Sequence, residues 1–206
     1  MIAAARRIDP SALTMQAVAD ELGVDRKTVH YHVSDREELI QLVAQDAFGA
    51  VLADAQLDQF TGWREATRAF SVIVRDASLA AQQFAAYVQF DTPNASLAAL
   101  GPAEAALRAL LAAGFEEHVA AQILRTAGVI GGGFARDLAA EHREGESAQR
   151  DAVGQALKEE GGGRLTALQH LIENAHQATT VQAFDFALDL MLDGAEKILA
   201  RNKVGG

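Results

Sequence analysis

Proline stands at only three positions in this 206-residue chain, Pro10, Pro93 and Pro102. The stretches between them are rich in alanine and leucine, and their β-branched runs are short. Alanine and leucine lose little on entering a helix, whereas a proline inside one costs about 3 kcal/mol, so the chain is expected to be helical nearly throughout. Apolar spacing agrees. Trp63, Ala66, Phe70, Ile73, Val74 and Ala77 recur every three or four residues and line one helix face. Further helices are expected from Ser96 to Ala113, ended by Gly114, and from Glu116 to Arg143. Pro93-Asn94 should break the chain, and the polar runs at 142–151 and 159–164 should form loops. Leu165, Leu168, Leu171 and Ile172 mark a short helix.

The segment 183–193, AFDFALDLMLD, alternates apolar and polar residues as a strand would. Val181, Phe184, Leu188, Met191, Leu192, Ala195, Ile198 and Leu199 nevertheless follow helical spacing, and the length and the Ala/Leu/Met content favour a helix. On that helix Asp185, Asp189, Asp193 and Glu196 form a narrow polar stripe, and Phe186 and Leu190 fall away from the main apolar face. A helix apolar on two sides is covered twice. The second cover is expected to be another copy of the chain, giving a homodimer through Phe186 and Leu190. The alternative is the central helix of a monomer. The chain is thus expected to be all-α, with a small helical head at 1–48 and a larger helical body at 49–206.

Composition narrows the function. The formal net charge is −10, which disfavours general polyanion binding, so any contact with nucleic acid must come from a local patch. Even residues 1–45 carry five Lys/Arg against seven Asp/Glu. There is no cysteine, which removes disulfides and thiolate metal sites and fits a cytoplasmic location. No apolar run reaches about 18 residues and no leader is visible, so no membrane association is expected. Motifs for nucleophilic, zinc or nucleotide-dependent catalysis are missing, and no catalytic residue, metal or cofactor is expected. The run GVIGGGFARD (128–137) lacks the G-x-G-x-x-G spacing and a preceding strand. Glycines inside a helix cost about 1 kcal/mol each relative to alanine, so three together need a reason. Close helix contact, room for a ligand and a kink are the candidates.

The local patch lies in LTMQAVADELGVDRKTVHYHVSDREELI, Leu13 to Ile40. Met15, Val18, Ala19 and Leu22 share one face of a short helix that Thr14 can cap. Gly23 suits a left-handed turn. Val24 and Val29 are apolar plugs, and Asp25 can cap a second helix starting at Arg26. Ser34, with Glu37 three residues on, reads as a capping box for the next helix. This is a helix-turn-helix, whose second helix enters the major groove N-terminal end first. Arg26 and Lys27 can reach guanine O6 and N7. Thr28, His30, Tyr31 and Arg36 can donate to phosphates. His30 and His32 stand about 200° apart on a helix and cannot share a metal ion.

These residues resemble the DNA-binding head of the tetracycline-repressor (TetR) family of bacterial transcription regulators, with Thr28-Val29-His30-Tyr31-His32-Val33 matching the family's exit from the second helix. The resemblance implies a dimer on a palindromic double-stranded operator, with Gln16, Arg26, Lys27 and Thr28 near bases or phosphates. His30, Tyr31, His32 and Arg36 would then contact the backbone or the edges of the site. Ahead of the motif the chain is short, and Arg6 and Arg7 are the cations there. The body resembles that of the family's namesake in the order of Trp63, Pro93, Gly114-Phe115, Gly128 and the final amphipathic segment. In that relative a drug–metal complex is held by a histidine and a carboxylate. By position Val88 replaces the histidine here and Asp137 keeps the carboxylate. The resemblance therefore implies a largely apolar effector among Phe70, Val74, Val88 and Leu110, with Asp91 and Asp137 as polar handles. Two functions follow: a ligand-responsive DNA-binding regulator, or a helical sequestering protein whose head has lost DNA affinity.

Overall fold

A computed structural model describes residues 1–9, 11–55, 60, 62–81, 100–144, 155–156, 165–167, 170 and 180–204. Helices account for nearly all of them, and no strand occurs among the described residues. The head comprises α1 (Ile2–Ala5), α2 (Met15–Leu22), α3 (Arg26–His30) and the first half of α4 (Arg36–Asp54). Leu13, Val18, Val29, Val33, Leu39, Ile40 and Val43 are buried together with Ala5, Ala19 and Ala44. Fully burying one such side chain stabilises by about 1.5–3 kcal/mol, so this small cluster is enough to fix three short helices that would not persist alone. α4 carries the chain without a break through residue 48, the boundary expected from sequence, and its far half packs on the body.

The body is built on α5 (Trp63–Ala80), which packs chiefly against α7 (Glu117–Glu144) and also against α4 and α6 (Gly101–Ala112). α8 (Thr180–Val204) lies on α7. Helical spacing therefore prevails over alternation in the last segment. Phe184, Leu188, Leu192, Ala195 and Leu199 point inward from α8, as the three-and-four pattern requires. Gly114, with φ of 98°, ends the turn between α6 and α7. The expected break at Pro93-Asn94 and most of the two expected polar loops lie outside the described residues, and the short helix near 165–172 is described only in part.

The glycines of α7 have a reason at one position. A Cβ on Gly131 would lie 2.4 Å from the Ser71 carbonyl oxygen of α5 and 3.2 Å from the Val74 Cβ. One turn away, the buried Ser71 hydroxyl donates to the Ala127 carbonyl at 2.8 Å. Close helix contact explains Gly131. Gly133 has nothing within 4 Å of the place its Cβ would take.

Candidate functional site

The head is set by its caps. Thr14 Oγ1 accepts from the Ala17 N–H at 3.0 Å and starts α2. Gly23, at φ 66° and ψ 32°, ends it in the left-handed conformation that favours glycine. Asp25 Oδ1 accepts from the Lys27 N–H at 2.7 Å and starts α3. Val29 is the residue of α3 that enters the core; Arg26, Lys27, Thr28 and His30 are all exposed, as are Tyr31 and His32 just beyond it. Tyr31 is 89% exposed and meets the His32 ring edge-on, with centroids 5.6 Å apart. A helix held by one buried valine and a capped N-terminus therefore turns all its chemistry outward. Gln16 is also exposed, and its Nε2 donates to Asp20 at 2.7 Å.

Three local expectations change. Val24 is 40% exposed, so it does not plug the core as Val29 does. The cap of α4 is Asp35, whose carboxylate accepts from the Glu38 N–H at 2.8 Å. Glu38, not Glu37, reaches back and accepts from the Ser34 N–H at 2.7 Å and from the Ser34 hydroxyl. Those two bonds hold the Glu38 carboxyl below its ordinary range, because they favour the ionised form. The capping box is thus shifted by one residue, since serine and aspartate cap comparably and either sequence register was allowed. Arg36 is exposed, and its Nε donates to the Leu13 carbonyl at 2.7 Å.

In the body, the structure brings Phe70 and Val74 together with Ala106, Leu124 and Ala127, and Gly128 faces the Phe70 ring. Leu110 belongs to another cluster, with Phe115, Ile123 and Leu199. Trp63 packs there too, edge-on to Phe115 with centroids 5.0 Å apart, as an anchor for α5. Asp137 is exposed on α7, and Val88 and Asp91 lie outside the described residues. Sequence reasoning missed Thr67, which is fully buried on α5 with a hydroxyl that has no hydrogen-bond partner among the described residues. It also missed Arg64 and Arg68. Arg64 bridges Asp193 and Glu196 at 2.6 and 2.9 Å, and Arg68 pairs with Asp185 at 3.3 Å and with Asp189. Two arginines four apart facing four acids at helical spacing was the available signal. This ladder turns the polar stripe of α8 toward α5 and leaves Phe186 and Leu190, 65% and 59% exposed, on the outside.

Residues 57–199 match the family model described as the C-terminal domain of tetracyclin repressor-like proteins. No curated protein matches the chain. Among solved structures, ligand-free ActR from Streptomyces coelicolor is similar, with 19% identity, a TM-score of 0.72, and coverage of 98% of this chain and 95% of that one. ActR in complex with actinorhodin gives 20% identity, a TM-score of 0.72 and coverage of 96% and 95%. TetR from Acinetobacter baumannii AYE gives 22% identity, a TM-score of 0.61 and coverage of 96% and 95%. At such identities the likeness shows the fold.

Proposed function

Because the chain belongs to the tetracycline-repressor family of transcription regulators, we propose that it is a dimeric repressor that reads a palindromic operator with α3 and is released by a small effector of largely apolar body. The observation that carries this reading is the outward display of Arg26, Lys27, Thr28 and His30 on a helix anchored by Val29 and capped by Asp25. Such a helix can enter a major groove N-terminal end first, where arginine and lysine meet guanine acceptors.

The dimer reading rests on Phe186 and Leu190 of α8. Beside them, Gly194 has open space where its Cβ would be, and on α7 the same holds at Gly133, near the 65%-exposed Val129. Bulky apolar residues beside open glycines suit a second helical pair packed face to face. The effector reading rests on Phe70 and Val74, with the Thr67 hydroxyl as a buried donor that has no acceptor among the described residues. ActR has been solved with (S)-DNPA and with actinorhodin; an effector of the present chain would be held mostly by apolar contacts. Release then follows from linkage. An effector that binds best when the two heads are held at one separation disfavours the separation that fits successive major grooves, about 34 Å apart. The protein works in the cytoplasm and performs no catalysis.

Selection of duplexes from a random-sequence pool tests this reading. A palindrome should emerge, bound by a dimer in sedimentation. Phe186→Glu combined with Leu190→Glu should yield a folded monomer that binds the same duplex at least about 100-fold more weakly, since charge on a buried interface face opposes pairing. A pool that yields no enriched sequence, or a double variant that stays dimeric, contradicts it. Tight small-molecule binding without any DNA complex would favour the sequestering protein instead.

A further inference from the structure

The five Lys/Arg residues of 1–45 fall into two sets. Arg6 Nη1 lies 3.1 Å from Asp46 Oδ2, and Arg7 Nη2 lies 2.9 Å from Glu21 Oε1. Arg36 Nε donates to the Leu13 carbonyl at 2.7 Å across 23 residues, in a partly buried place. The side chains of Arg26 and Lys27, by contrast, make no ion pair or hydrogen bond with any described residue.

The Leu13 contact has a structural consequence. Leu13 is fully buried and immediately precedes Thr14, whose hydroxyl starts α2. Arg36 is the first residue of α4. Its guanidinium therefore ties the start of α4 to the start of α2, and the fixed Gly23 turn passes that placement on to α3. Arg6 makes a second tie, from the end of α1 to α4.

We infer that Arg36, with Arg6 and Arg7, positions the reading helix and does not neutralise phosphate, so that of its five cations each head brings only Arg26 and Lys27 to the DNA. This rests on the DNA-reading function proposed above. An exposed ion pair is worth only about 0–1 kcal/mol, so Arg6 and Arg7 could in principle leave Asp46 and Glu21. Doing so would bare a carboxylate toward the same polyanion and cancel the attraction gained. Withdrawing Arg36 would strip a donor from a partly buried carbonyl, a group that is costly to leave unpaired. The acidic balance of the head, which counts against DNA binding when all charges are pooled, then has a local reading: most acids and three cations serve the fold, and two cations serve recognition.

The affinity of a DNA-binding protein falls with salt at a log–log slope of about −0.9 per neutralised phosphate, which gives about −4 for a dimer using two cations per head and about −9 for one using all five. Fluorescence anisotropy of the full chain on a selected operator duplex, between about 50 and 200 mM salt, reads it directly. The wild-type slope should be near −4. Arg26→Gln should flatten it by about 2, one phosphate-equivalent per head. Arg36→Gln should weaken binding about 10-fold with the slope unchanged, and Arg36→Lys, which keeps the charge but lacks the Nε–H, should weaken it to a similar degree. A wild-type slope near −9, a flattening by about 2 in Arg36→Gln, or wild-type affinity in Arg36→Lys overturns the inference. A wild-type chain that forms no operator complex fails one step earlier, at the DNA-reading proposal, and takes the inference with it.

Discussion

Replacing Arg26 and Lys27 together by alanine is expected to lower operator affinity by at least about 1,000-fold and to leave the thermal unfolding transition unchanged. Each good bidentate contact to a base discriminates by about 1–3 kcal/mol, and a two-fold head pair loses such contacts twice. The structure explains why stability should not follow. Both side chains are exposed, and the cap of α3 runs from Asp25 to the Lys27 main-chain N–H, which alanine keeps. Alanine also favours the helix slightly. Equilibrium binding on the selected duplex, alongside a circular-dichroism melt, checks both halves. Affinity within about 10-fold of wild type would remove these two residues from recognition, since that is less than the four contacts of a dimer would provide together.

Gly131→Ala is expected to be the most damaging single-methyl change in the body. The added Cβ would meet the Ser71 carbonyl oxygen at 2.4 Å and the Arg75 nitrogen at 3.1 Å, both backbone atoms of α5. Neither can rotate away, so the two helices must separate. Overpacking of this kind typically costs about 1–3 kcal/mol, and here it also strains the buried bond from the Ser71 hydroxyl to the Ala127 carbonyl. Helix propensity returns about 1 kcal/mol. A net loss of about 2 kcal/mol corresponds to a melting temperature lower by about 4–8 °C for a chain of this size. Gly49→Ala, inside α4, is the control. Nothing stands within 4 Å of its Cβ position, so propensity should act alone and raise the melting temperature by about 2–4 °C. Equal shifts in the two variants would mean that the α5–α7 crossing is not tight at Gly131. The same crossing carries Phe70 and Val74, so Gly131→Ala should disturb any effector bound there as well.

Much of this could be seen in the chain because it is local. Thr14, Gly23 and Asp25 announce the ends of α2 and α3 through hydrogen bonds and a backbone conformation that involve only near neighbours. The apolar rows on α5 and α8 announce which faces turn inward for the same reason. Less could be seen where the deciding atom lies on another element. Gly131 needed the Ser71 carbonyl, Arg36 needed the Leu13 carbonyl, and the acidic stripe of α8 needed Arg64 and Arg68 of α5. Leu110 shows the same limit. Its burial could be expected from its spacing, but whether it faced Phe70 or Phe115 depended on how α6 turns against its neighbours. The shift of the α4 cap from Ser34 to Asp35 is a smaller case, because two adjacent residues offered equivalent side chains.

The reading of α3 as the element that enters the groove can be tested where it stands. The chain contains no cysteine, so Thr28→Cys gives a unique point on the exposed face of α3 to which a DNA-cleaving iron chelate can be attached. On the selected operator duplex, strand cuts should fall in two clusters, related by the two-fold of the site and centred about one helical turn apart, roughly 34 Å. Cuts scattered along the duplex, or confined to one cluster while a dimer is bound, would contradict it.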